Sequence, residues 1–82
     1  MYILSNHAKE RILERGIQEK WIEDALSAPQ LTDIDSRDSS IHIVWKKISE
    51  FGNRVLRVCY NPNTDPIIIV TVFFDRSMRG KL

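Results

Sequence analysis

A chain of 82 residues with 43% hydrophobic and 28% charged side chains has room for one domain around one small core, and it is too apolar to be disordered. One cysteine and two histidines exclude an intrachain disulfide and a zinc site built from those ligands, and a formal net charge of +1 sets the chain apart from strongly basic polyanion binders. The near-neutral total hides an asymmetry: residues 1–40 carry five basic and eight acidic side chains, and residues 41–82 carry seven and three. Local charge rather than total charge draws a polyanion, so the basic second half is a place where nucleic acid is expected to bind.

Tyr2 to Leu4 is a short β-favouring stretch, expected as an edge strand, after which Ser5 or Asn6 caps a first helix. Gly16 is placed to stop that helix in the left-handed conformation. Ile17, Trp21, Ile22, Ala25 and Leu26 recur at helical spacing and mark a second amphipathic helix ended by Pro29. The two helices form a hairpin. Residues 33–40 are a polar connection, with at most a weak strand at Leu31 to Ile34.

Residues 41–48 and 54–61 are rich in β-branched and aromatic residues and are joined through Phe51-Gly52-Asn53, which predicts a β-hairpin. Residues 61–66 hold the densest turn signal. Residues 67–74 are then almost continuously apolar, as suits a strand covered on both faces or one whose second face meets another subunit. Residues 75–82 form a basic tail, expected to be loosely ordered. The expected fold is one α+β domain over residues 1–82, with an N-terminal helical hairpin packed on a three- or four-stranded antiparallel sheet. The longest apolar run is too short for a membrane span, no leader-like segment opens the chain, and a lone cysteine suits a reducing compartment. A cytoplasmic location is expected.

His7, Arg11 and Arg15 are spaced four apart, so they drift by only about 40° per step around the first helix and share one edge. That edge is a candidate anion site. A solvated face of mixed charge is the competing reading, because Glu10 and Glu14 are close in sequence. His42 alternates with apolar neighbours on a strand and is a weaker candidate. If Leu56, Val58 and Tyr60 face the helices, Arg57 lies on the opposite face, where it meets a phosphate or pairs with Asp75 or Glu50; the reverse register is also open. Tyr60 either contacts a phosphate or base or packs its ring with its hydroxyl in water. Arg76, Arg79 and Lys81 are spaced to follow a nucleic-acid backbone, though basic tails also serve solubility. Lys46 and Lys47 point to opposite faces, so one of them at most joins a given patch. Trp21 and Trp45 are expected as anchors of the core or of an interface, and Cys59 as a buried small hydrophobe.

Ser5-Asn6-His7-Ala8 with Arg11, Glu14-Arg15-Gly16-Ile17, residues 53–60 and residues 69–73 together resemble the domain-of-unknown-function family numbered 4258. Its proposed relatives are the RelE-like and BrnT-like toxins of toxin–antitoxin pairs, so the resemblance implies a RelE-like fold and cleavage of RNA. Metal-free cleavage needs a proton acceptor, a proton donor and cations to stabilise charge at phosphorus. On that reading His7, Arg57 and Tyr60 are the catalytic candidates. Arg11, Arg15, Lys46, Arg76, Arg79 and Lys81 are the candidates for holding phosphate. Neither metal nor cofactor is expected; RNA, an antitoxin protein and a second copy of the chain are the expected partners. The alternative reading is a non-catalytic module that binds a protein partner or itself.

Overall fold

Helix and strand boundaries follow the local chemistry closely. The computed structural model describes residues 2–82, so the first residue of the expected domain lies outside it. The elements are β1 (Tyr2–Leu4), α1 (Asn6–Arg15), α2 (Glu19–Ser27), β2 (Leu31–Ile34), β3 (His42–Ile48), β4 (Arg54–Asn61) and β5 (Ile67–Phe74). Two single-turn 3-10 segments, Ser49–Phe51 and Arg76–Met78, complete them. Ser5 caps α1: its side-chain oxygen accepts from the Ala8 N–H at 3.0 Å, satisfying one of the free donors of the first turn. Gly16 ends α1 at φ 62°, where a side chain would be strained.

The sheet corrects the sequence expectation. It has five strands, in the order β1-β5-β4-β3-β2, rather than three or four. It is also mixed, because β1 runs parallel to β5, with Tyr2 opposite Ile67 and Leu4 opposite Ile69. The path of the chain explains this. After β1 the two helices cross the sheet and deliver the chain to the far edge at β2. The antiparallel series β2, β3, β4, β5 then walks back until the last strand meets the first. Turn residues specify neighbours joined by hairpins, whereas the partner of a three-residue edge strand is set by contacts some 65 residues away.

One face of the sheet carries the helices, α1 over β5 and α2 over β3 and β4. The core there is built from Ala8, Ile17, Trp21, Ile22 and Ala25 against Val44, Ile48, Leu56, Val58, Ile69 and Val72. Period-2 alternation sends Ile43, Trp45, Val55 and Cys59 to the second face, where Ile41, Met78 and Leu82 pack against them. Residues 75–82 therefore lie over the second face, with Met78 and Leu82 half-buried. No helix among the described residues is long and apolar enough to cross a membrane.

Candidate functional site

Ser5 does more than cap a helix. Its N–H donates to the Ile69 carbonyl at 3.0 Å and its hydroxyl donates to the Val70 carbonyl at 2.7 Å. Val70 is an extra residue in the β4–β5 ladder, since Cys59 faces Thr71 while Tyr60 faces Ile69. Such a bulge bends the strand and re-aims its backbone. The start of α1 is thus fastened to the bulge of β5, and the exposed edge of the helix runs beside the half of β5 that β1 does not cover.

The space between them is a cleft of about 630 Å³ lined by His7, Arg11, Arg15, Arg54, Thr71, Phe73, Phe74 and Arg76. Three come from α1, one from the start of β4, three from β5 and one from the turn after it. Four guanidiniums and an imidazole meet there, and no carboxylate lines the wall. Glu14 pairs with Arg11 at 3.4 Å across the helix surface, an exposed contact worth about 0–1 kcal/mol. Among the described residues, Arg15, Arg54 and Arg76 have no acid within ion-pair distance. Arg54 is held instead by aromatic faces, its guanidinium carbon 4.9 Å from the Phe51 ring centre and 6.0 Å from that of Phe74. Uncompensated guanidiniums beside partly buried aromatic rings suit a ligand that carries phosphate and a planar group.

The other sequence candidates lie elsewhere. Arg57 is on the second face, and its guanidinium sits between the rings of Trp45 (5.5 Å) and Phe73 (5.3 Å) in one cross-strand row. It pairs with Asp75 at 3.7 Å, and its Nε is buried without a partner. Burial pushes the Asp75 carboxyl up, but hydrogen bonds from Ser77 and Trp45 and the Arg57 charge outweigh it and hold the group below its ordinary value. Glu50 is engaged by Lys20 at 3.1 Å and by Trp21 Nε1. Tyr60 lies on the helix face, its ring edge-on to His42 at 5.9 Å, and neither residue lines the cleft. Lys46 donates to the Ala28 carbonyl at 3.1 Å, closing the end of α2. Arg79 lines a neighbouring hollow rather than the cleft, and Lys81 is exposed without lining either. The structure therefore brings His7, Arg11, Arg15 and Arg76 together and leaves Arg57, Tyr60 and Lys46 apart.

Arg54, Thr71, Phe73 and Phe74 are cleft residues that sequence reading did not single out. Arg54 carried a usable signal: it alternates with Leu56 and Val58, which places it on the helix face at an exposed strand end. For Thr71 the signal was hidden by the bulge, which interrupts the alternation along β5.

Among the described residues no group of three or more His, Cys, Asp or Glu is placed to hold a metal ion. Neither the curated proteins nor the solved structures include a significant match to the chain. A family model does match, over residues 4–74, which takes in both helices and all the paired strands from Leu4 to Phe74. The chain therefore belongs to the family described as Domain of unknown function (DUF4258).

Proposed function

We propose that the cleft binds the phosphate backbone of RNA and that the protein is a metal-independent, toxin-like endoribonuclease with His7 as its proton-transfer residue. The observation that carries this reading is the meeting of an imidazole with four guanidiniums in a cleft whose wall has no carboxylate. Imidazole is the side chain whose ordinary pKa suits proton exchange near neutrality. His7 takes the proton of a 2′-hydroxyl as its oxygen attacks phosphorus, the bond to the 5′-oxygen breaks, and that oxygen takes a proton from solvent. The arginines stabilise the charge gained at phosphorus. Arg57 acts in this scheme as a structural residue, consistent with its pairing to Asp75. An antitoxin protein that covers the cleft is the partner this activity entails.

The test is incubation of the purified protein with oligoribonucleotides in the presence of EDTA. The expected products carry 5′-hydroxyl and 2′,3′-cyclic phosphate ends, and His7→Ala should keep RNA affinity while cleaving about 100-fold more slowly or worse. Intact RNA with the folded wild-type protein, or undiminished cleavage by His7→Ala, would overturn it. A non-catalytic interaction module is the second reading, favoured by the outer edge of β2, where Leu31 and Ile34 are 41% and 53% exposed. Intact RNA combined with self-association in sedimentation would favour that reading.

A further inference from the structure

A second hollow of about 250 Å³ adjoins the cleft, lined by Arg54, Val55, Phe74, Asp75, Arg76 and Arg79. Arg54, Phe74 and Arg76 line both spaces, so the two share a wall of two guanidiniums and a ring. We propose that this hollow is a separate phosphate subsite, which takes a phosphate adjacent to the one held in the cleft. The ligand is then an oligonucleotide strand with at least two linked phosphates, rather than a mononucleotide or free phosphate. This rests on the RNA-binding reading of the cleft.

Three observations support the subsite. Its single carboxylate is already engaged: Asp75 Oδ1 accepts from the Ser77 N–H at 3.0 Å and the Ser77 hydroxyl at 2.5 Å, while Oδ2 accepts from Trp45 Nε1 at 3.1 Å and faces Arg57 at 3.7 Å. Its negative charge is thus met from the second face, and the three arginines remain available to an anion. Second, those Ser77 contacts cap the Arg76–Met78 turn, and the Arg79 N–H donates to the Arg76 carbonyl at 3.2 Å. Arg79 follows that capped turn directly, and both Arg76 and Arg79 line the hollow. Third, Arg54 is held at the shared wall by Phe51 and Phe74. Arg11 and Arg15 line only the cleft and Arg79 only the hollow, so the two sites can be probed separately.

The experiment compares wild type, Arg79→Gln and Arg11→Gln in binding a 5′-mononucleotide, followed by NMR, and single-stranded oligoribonucleotides of increasing length with non-cleavable 2′-modified sugars, followed by fluorescence anisotropy. Arg79→Gln should weaken the oligonucleotides about 5- to 10-fold and lower the salt slope by about 0.7, while leaving the mononucleotide unchanged. Arg11→Gln should weaken both ligands. Equal loss of both ligands in Arg79→Gln, or an unchanged salt slope, would overturn the subsite and leave the cleft intact. A wild-type protein that binds no oligonucleotide would overturn the RNA reading itself, and the subsite with it.

Discussion

Asp75→Ala should lower folding stability by about 2–4 kcal/mol, read as a shift of the urea midpoint without a change in slope. The Asp75 side chain is 10% exposed and ties the turn after β5 to β3 and β4 on the second face. It meets Arg57 of β4 and accepts from Trp45 of β3, while its backbone N–H donates to the Val55 carbonyl at 2.8 Å. Truncation leaves the guanidinium of Arg57 sandwiched between two rings with no counter-charge, and leaves the Trp45 N–H without its acceptor. It also removes the cap of the turn that carries Arg76. Because the folded-state pKa of Asp75 is depressed, its contribution is fully present above the ordinary carboxyl value of 3.8 and is lost as pH falls through the lower folded value. Asp75→Asn should accordingly flatten the acid limb of the stability profile. Arg57→Ala should share the stability loss and leave cleavage per folded molecule unchanged.

Arg11→Gln combined with Arg54→Gln should lower RNA affinity by about 10- to 100-fold at moderate salt, and should reduce the slope of log affinity against log salt by about 1.4. Each guanidinium lost removes one phosphate contact and the counterion release that goes with it. The two side chains approach the cleft from different elements, α1 and the start of β4, so a joint effect requires a ligand that spans the space between them. Stability should change little, within about 1 kcal/mol, because Arg11 makes only an exposed pair and Arg54 only ring contacts. Loss of affinity without loss of fold separates a binding role from the structural role of Arg57. Salt dependence also separates phosphate contacts from apolar ones, which respond weakly to ionic strength.

Much of this architecture was readable from local chemistry. Gly16 as stop and the spacing of Trp21, Ile22 and Ala25 each act over a few residues and appear in the structure as expected; of the two candidate caps Ser5 is the one used, and of the two registers of β4 the structure adopts the one with Leu56, Val58 and Tyr60 on the helix face. The parallel pairing of β1 with β5 was not readable, because nothing in Tyr2 to Leu4 specifies a partner at Ile67 to Ile69. The bulge at Val70 was hidden for a related reason: an extra residue in an almost continuously apolar strand leaves no mark in the hydrophobic pattern. The cleft depends on both features. Helical spacing alone grouped His7, Arg11 and Arg15, whereas the addition of Arg54 and Arg76 needed the sheet order. For Arg57 the alternation left two registers open; the sheet sets it opposite the helices, and the choice between phosphate and carboxylate rested on how residues 75–82 fold back.

The most direct measurement is an amide-resolved NMR titration of the labelled protein with a short single-stranded oligoribonucleotide that carries a non-cleavable 2′-modified sugar. Binding in the cleft should move the resonances of residues 5–15, Arg54, and residues 71–76 together on one saturable curve, with the largest changes flanking His7 and Thr71. Shifts centred on Tyr60, His42 and Lys46, with His7 and Arg54 unmoved, would place the ligand elsewhere and contradict the assignment of the arginine cleft as the RNA site.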